Sequence, residues 1–98
     1  MTRVIVSADA KREQIQILRY LEKEAGARTA AKYAAKFRDM AARLKEFPEF
    51  GALRPALGIA TRVAVIAPYI MVYDYAKARD LVMVLRVLHG RRDVRPRS

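Results

Sequence analysis

The segment VLRVLHGRRD, residues 84–93, is the stretch of this sequence that decides the fold. Its apolar, β-branched beginning predicts a strand over residues 81–89, and Gly90 ends that strand. Two similar runs precede it, at residues 59–66 and 69–75, and only short turns separate the three. Because short turns join antiparallel neighbours, the three runs predict an antiparallel meander.

Two helices precede this meander. The β-branched residues 3–7 predict a first strand, and Ser7 is placed to cap a helix that ends near Gly26. Thr29 is the predicted cap of a second helix, which ends before Pro48. In both segments apolar residues recur every three or four positions, so each helix has one face for a core. The short connection between them predicts an antiparallel helical hairpin.

The order of elements predicts the fold class. The helices come as one block before the meander and do not alternate with strands, which favours an α+β fold. We therefore expect one domain over residues 1–98 with the order β-α-α-β-β-β, in which an antiparallel sheet packs against an N-terminal helical hairpin. Residues 48–58 are predicted to be a loop because they contain two prolines and two glycines.

Composition narrows the classes of function. The 98 residues carry a formal net charge of +10, which favours an anionic partner such as nucleic acid, the ribosome or an acidic protein. There is no cysteine and one histidine, so disulfides, thiolate catalysis and cysteine-ligated zinc are excluded, and we expect neither a metal nor a cofactor. The longest apolar run, VAVIAPYIMVY, is much shorter than the ~20 residues of a membrane span. We expect a soluble cytoplasmic protein with no membrane contact.

His89 and a group of arginines are the candidate functional side chains. His89 is either a general acid or base beside phosphate-binding arginines, or a strand-end histidine bonded to the adjoining loop. The second interpretation is favoured because no partner base lies near it in sequence. The arginines are either a solvated basic tail that aids solubility or a patch for phosphates and acidic side chains, and the patch is favoured because five arginines exceed what solubility needs. They are Arg86, Arg91, Arg92, Arg95 and Arg97.

Arg62 and three tyrosines leave alternatives open. Arg62 lies on the opposite face of its predicted strand from Val63, and projects either toward a ligand or into water. Tyr69, Tyr73 and Tyr75 alternate along one strand and therefore share a face. A packing face is favoured over a platform for stacked bases.

Several segments, taken together and in order, resemble the RelE/ParE superfamily of bacterial toxin–antitoxin toxins. They are VSADAKREQIQILRYL in the first helix, FPEFGALRP after the second helix, Arg62, YIMVYDY in the third strand and the terminal VLRVLHGRRD. The resemblance covers nearly the whole chain. The ending, in which no helix follows the last strand, resembles the ParE branch most.

The resemblance implies two alternative activities. ParE-like toxins bind and poison DNA gyrase, and the corresponding contacts here are expected at Arg86, His89, Arg91, Arg92, Arg95 and Arg97. RelE-like toxins cleave mRNA in the ribosomal A site, and Arg62, Arg86 and His89 are the residues that such a nuclease would use. This sequence departs from the nuclease pattern because no tyrosine follows Tyr75. Gyrase inhibition without catalysis is therefore the first hypothesis, and the ribosome-dependent nuclease is the alternative.

The resemblance also implies a protein partner, a ParD-like antitoxin that neutralises the toxin and makes most of the DNA contacts of the complex. An acidic antitoxin segment would be attracted to the +10 surface. An amphipathic helix from the partner could lie in a groove between the helical hairpin and the sheet. The expected antitoxin contacts are Leu53, Leu57, Ile59, Arg62 and Arg86.

Overall fold

The computed structural model describes residues 2–91. Two α-helices and five strands make up the described chain. They are β1 Arg3–Val6, α1 Ala8–Ala25, α2 Ala27–Glu46, β2 Ala52–Leu53, β3 Thr61–Ile66, β4 Tyr69–Ala76 and β5 Leu81–His89, with a 3₁₀ turn at Lys77–Arg79. The predicted α+β order is confirmed, and β2 is an additional short strand within the segment predicted to be a loop.

The five strands form one mixed sheet in the order β1-β5-β4-β3-β2. The predicted meander is confirmed, since β3, β4 and β5 pair antiparallel. β1 instead runs parallel to β5, from the pair Arg3 and Leu81 to the pair Val6 and Val84. The sheet is therefore mixed. Parallel pairing of β1 is possible because β1 is followed by the helical hairpin and not by a tight turn, and a long connection of this kind lets the chain return to run in the same direction.

The helical hairpin turns at a single residue. Ser7 caps α1 as predicted, because its Oγ accepts the Ala10 backbone N–H at 3.0 Å. Gly26 ends α1 and begins α2, with φ +93°, a value that favours glycine. The prediction of Thr29 as the cap of α2 is wrong, since Thr29 lies inside the first turn of that helix. Neither helix in the described part of the chain combines the length and apolarity needed to cross a membrane.

The hydrophobic core lies between the hairpin and one face of the sheet. Its buried residues are Ala10, Phe37 and Leu44 from the helices and Ala64, Ile66, Tyr69, Met71, Tyr73, Val82, Val84 and Val87 from the sheet. Tyr69 and Tyr73 are buried in it and Tyr75 packs against it, so the tyrosine face is a packing face. This burial of apolar area is the main force that holds the hairpin on the sheet.

The segment before β3 is shaped by turns. The prediction of a strand from residue 59 is wrong, because β3 begins at Thr61. The Thr61 backbone N–H donates to the Gly58 carbonyl at 3.1 Å, and its carbonyl accepts the Arg54 N–H at 2.8 Å. Residues 59–60 belong to this turn, and β3, which follows it, pairs with β2.

Candidate binding surfaces

Arg86 of β5 is held by a glutamate of α1. Its Nε and Nη2 donate to Glu13 Oε2 at 2.9 and 2.7 Å, and Glu13 Oε1 accepts the Val87 backbone N–H at 2.9 Å. The Glu13 side chain is 13% exposed, whereas that of Arg86 is 44% exposed. The hydrogen bonds to Glu13 raise the pKa of Arg86 further, so its guanidinium stays charged. Arg86 thus joins α1 to β5 and offers only part of its side chain to a partner.

His89 ends β5 with an exposed side chain. Its ring meets that of Tyr69 edge-on, with centroids 5.9 Å apart. Its Nδ1 accepts the Arg91 backbone N–H at 3.2 Å. These contacts agree with the interpretation of a strand-end histidine that bonds the adjoining loop.

The basic patch begins at this end of β5. Arg86, His89 and the exposed Arg91 lie along the last residues of the strand and the turn that follows it. The predicted target contacts at Arg92, Arg95 and Arg97 lie outside the described residues. The structure therefore places the start of the predicted patch at the β5 terminus.

Arg62 fastens the loop between α2 and β2 to the sheet. Its Nη1 donates to the Glu49 carbonyl at 3.0 Å and to the Gly51 carbonyl at 2.9 Å, and its Nη2 lies 3.4 Å from the Glu49 carboxylate. Beside it, the Tyr73 hydroxyl donates to the Pro48 carbonyl at 2.8 Å and accepts the Gly51 N–H at 2.9 Å. The contacts give Arg62 a structural part in holding this loop.

The three residues of the nuclease alternative do not converge. Arg62 pairs with Tyr73 of β4, and Arg86 pairs with the adjacent Val72. Since successive side chains of a strand alternate, this register places the two arginines on opposite faces of the sheet. His89 pairs with Tyr69, which puts it about 13 Å from Arg62 along the strand direction, at ~3.3 Å per residue.

The predicted antitoxin contacts lie at and beyond β2. Leu53 is 48% exposed at the end of β2, and Ile59 is 96% exposed in the turn before β3. Leu57, between them, is half-buried. Leu53 and Ile59 thus expose apolar side chains near the two ends of the turns that join β2 to β3, while Arg62 and Arg86 bond Glu49 and Glu13.

A groove lies between α2 and the edge of β3, and none of its lining residues is among the predicted antitoxin contacts. Its lining residues are Lys36, Asp39, Met40, Arg43, Phe50, Val65, Ile66 and Ala67. Arg43 stacks over the ring of Phe50, with its guanidinium carbon 5.1 Å from the ring centroid. Phe50 is 48% exposed and Val65 is 64% exposed. The sequence signal for this groove is Phe50, an aromatic residue within the segment predicted to be a loop.

No grouping of three or more histidine, aspartate or glutamate side chains that could hold a metal ion occurs within residues 2–91. The surfaces expose the basic end of β5, the apolar side chains of Leu53 and Ile59, and Arg43 stacked on Phe50. These suit binding to an acidic or phosphate-bearing partner.

Burial of the core tyrosines predicts alkaline sensitivity. Tyr73 and Tyr69 are 0% and 7% exposed, and burial raises the pKa of each above its ordinary value of 10.0. As the pH rises, the unfolded chain therefore releases these phenolic protons before the folded protein does. We expect the free energy of unfolding to fall above about pH 10, by up to about 1.4 kcal/mol per pH unit for each buried tyrosine.

Urea unfolding between about pH 8 and about pH 11, with tyrosinate absorbance as a second readout, measures this effect. The control is Tyr73→Phe, which should lower stability at neutral pH but flatten the alkaline decline. The assignment to these side chains would be contradicted if the free energy of unfolding of both Tyr69→Phe and Tyr73→Phe fell with pH as steeply as that of the unsubstituted protein.

Gly51 is predicted to tolerate no side chain. A Cβ at this position would lie 2.8 Å from Tyr73 Cε1 and 2.9 Å from the Val63 carbonyl oxygen. We expect Gly51→Ala to lower the free energy of unfolding by about 1–3 kcal/mol, because backbone and a buried ring must move. Chemical denaturation measures the change, with Ala52→Ser at the exposed neighbour as the control. Equal stability of the two variants would show that the loop yields without cost.

Toxin and toxin–antitoxin structures are among the solved structures that share this fold. A chain of the chromosomal ParDE TA system from P. aeruginosa gives a TM-score of 0.75 at 18% identity, over 91% of this chain and 96% of that chain. A chain of the intact E. coli RelBE toxin–antitoxin complex gives 0.59 at 16% identity, over 94% of this chain and 100% of that chain. The isolated E. coli RelE toxin gives 0.59 at 16% identity, over 95% and 88%. These similarities confirm the α+β fold that the sequence resemblance implied.

The family is shown by the sequence itself. Residues 4–94 match the family model described as "ParE toxin of type II toxin-antitoxin system, parDE". This chain therefore belongs to the ParE toxin family. A search of curated proteins gives no significant match.

Proposed function

We propose that this ParE-family toxin acts by binding DNA gyrase and stalling its cleaved-DNA intermediate, and that a ParD-like antitoxin neutralises it. The observation that carries the proposal is the basic end of β5, where Arg86, His89 and Arg91 follow one another. Three more arginines follow in the sequence, at residues 92, 95 and 97. A covalent gyrase–DNA intermediate offers phosphates and acidic side chains, both of which arginine binds with two parallel hydrogen bonds.

Charge supports the same partner. The net charge of +10 speeds the approach to an anionic assembly and makes association sensitive to salt. His89 has hydrogen-bond and ring contacts that hold it at the strand end, and these fit a residue at an interface. The toxin would therefore need no catalytic step of its own.

The ribosome-dependent nuclease alternative has weaker support. General acid–base cleavage needs its groups within hydrogen-bond reach of one phosphate. The register separates Arg62 and Arg86 onto opposite faces, and both guanidinium groups already bond glutamate side chains. No observation among the described residues favours this activity over binding.

The antitoxin partner is supported by the surfaces and by the relatives. Similar structures include chains of toxin–antitoxin systems from P. aeruginosa and E. coli. The chain exposes apolar side chains at Leu53 and Ile59 beside basic ones, which suits an acidic amphipathic segment. We infer that the antitoxin covers this edge of the sheet and supplies the DNA contacts of the complex.

A plasmid supercoiling and cleavage assay with purified gyrase and ATP tests the proposal. We expect linear DNA to accumulate when the toxin is added, and its amount to fall when the antitoxin is added in excess. Omission of gyrase is the control, because direct cleavage of DNA by the toxin would appear there. If micromolar toxin leaves gyrase unaffected but cleaves mRNA on programmed ribosomes, the nuclease alternative replaces this proposal.

A further inference from the structure

Within residues 2–91, part of the sheet edge at β3 has no neighbouring strand. β2 pairs only with Arg62 and Val63, through Leu53 and Ala52, whereas β3 continues to Ile66. The Thr61 carbonyl accepts the Arg54 N–H, so it faces the β2 side. Because these groups alternate along a strand, Val63 and Val65 direct their backbone N–H and C=O to the same side. Val65 lies beyond the end of β2, so its backbone groups face an open edge.

The open edge ends at Ala67, two residues after Val65. Ala67 is the next residue in this alternation, and its carbonyl accepts the Tyr33 hydroxyl of α2 at 3.3 Å. In the described part of the chain, Val65 thus lies between Val63, which pairs with β2, and Ala67, whose carbonyl accepts the Tyr33 hydroxyl. An extended segment placed here could exchange both backbone hydrogen bonds with Val65 alone.

Side chains of α2 give this edge a chemical preference. The groove beside Val65 has an apolar floor that includes Met40 and Ile66. Two cations border it: Lys36, whose Nζ lies 5.2 Å from the Tyr33 ring centroid, and Arg43 over Phe50. A guanidinium stacked on a ring keeps its N–H edge free for a carboxylate. Asp39 also lines the groove, so acidic partner groups must lie nearer to Lys36 and Arg43.

We propose that this groove binds an extended acidic and apolar segment of the antitoxin, which adds a short strand to β3 at Val65. The partner's identity rests on the function proposed above, whereas the binding mode rests on the open edge and its charge. One apolar side chain of the segment packs on Met40 and Phe50, and carboxylates two residues before and after it, which share its face, bond Lys36 and Arg43. The segment approaches as an extended strand here, in addition to any helix bound elsewhere on the hairpin.

The test is a titration of the full-length protein with a blocked peptide that contains Glu-Ser-Leu-Ser-Glu, in which the leucine and both glutamates share one face of an extended strand. The readouts are the amide resonance of Val65 and the dissociation constant. We expect the Val65 and Phe50 resonances to shift, and binding to weaken as salt is added. A peptide of the same length in which lysine replaces glutamate should not bind.

Two pairs of variants locate the contact. Val65→Pro removes the edge N–H at a position where an edge strand accepts proline, and Val65→Thr keeps that N–H. Arg43→Glu reverses a groove charge, and Lys45→Glu reverses an exposed charge of the same helix outside the groove. We expect Val65→Pro and Arg43→Glu to weaken binding at least about tenfold, and the controls to stay within about twofold.

Thermal unfolding of each variant verifies that it is folded, and Arg43→Glu remains informative if Val65→Pro is not. Unchanged affinity in Arg43→Glu, or no shift of the Val65 resonance, would overturn the proposal. Shifts at Val65 that grow with protein concentration alone would also overturn it, because they would mean that a second copy pairs along this edge. The titration involves neither gyrase nor growth arrest, so it fails or succeeds separately from the proposed function.

Discussion

Replacing Glu13 with alanine is expected to lower the free energy of unfolding by about 2–3 kcal/mol, the largest effect predicted for a single side chain that is not in the core. Glu13 accepts two N–H groups of Arg86 and the backbone N–H of Val87. Its removal leaves a guanidinium and a strand N–H without their acceptor. The estimate is below the roughly 3–5 kcal/mol of a fully buried pair because Arg86 is 44% exposed and keeps part of its hydration.

Chemical denaturation of matched variants measures this contribution. Glu13→Gln keeps the size of the side chain and an acceptor for the Val87 N–H, so we expect it to lose only about half as much. The control is Glu24→Ala, an exposed position on the same helix, which should change stability by no more than about 0.5 kcal/mol. A Glu13→Ala variant as stable as the control would mean that water replaces the carboxylate at no cost.

A double-mutant cycle separates the ion pair from the backbone contact. Arg86→Ala alone removes the guanidinium but leaves the Glu13 bond to Val87, so a positive coupling energy between the two changes measures the pair itself. We expect a coupling of about 1–2 kcal/mol, since one partner is partly exposed. The same variant tests whether Arg86 also contacts gyrase, because its effect on poisoning can be compared with its effect on stability.

A chain that ends at Gly90 is expected to lose gyrase poisoning by at least about 30-fold while it keeps its fold. β5 ends at His89, so the strand and its pairing with β4 remain. The truncation removes four arginines and one aspartate, which under the proposed function make the central contacts with the gyrase–DNA intermediate. The concentration of toxin that gives half-maximal linear DNA measures the loss.

The matched control keeps the length and the charge of this terminus. Arg91→Lys, Arg92→Lys, Arg95→Lys and Arg97→Lys together retain every positive charge but remove the planar two-pronged donors. Intermediate potency would show that both charge and arginine geometry contribute. Full potency of the truncated chain, with circular dichroism equal to that of the whole chain, would contradict the assignment of these arginines to the target contact.

Local patterns in the sequence determined most of the secondary structure. The spacing of apolar residues predicted α1 and α2 to within a few residues at each end, because burial of one helix face imposes that spacing. β5 was predicted with its observed bounds, since alternation and a terminal glycine mark a strand directly. The order of these elements along the chain, together with the motifs at their ends, was enough to indicate the superfamily.

The binding surfaces were decided by tertiary structure, because their members are far apart in the chain. Glu13 and Arg86 are 73 positions apart in the sequence. No periodicity indicates that this glutamate accepts hydrogen bonds from Arg86, which was predicted to contact a partner protein. The turn at residues 47–51 likewise binds Arg62, whose strand position alone allowed a ligand or water. Sequence patterns report which side chains are buried, but not which partner each one meets.

The open edge at Val65 shows most clearly the difference between what local sequence predicts and what tertiary structure decides. The sequence predicted a strand through this residue, and that prediction is confirmed. Only the pairing register reveals that β2 covers two residues of β3 and stops, and only the packing of α2 places Arg43 and Met40 beside the uncovered residue. Strand formation depends on local propensity, whereas the accessibility of an edge depends on which distant segments reach it.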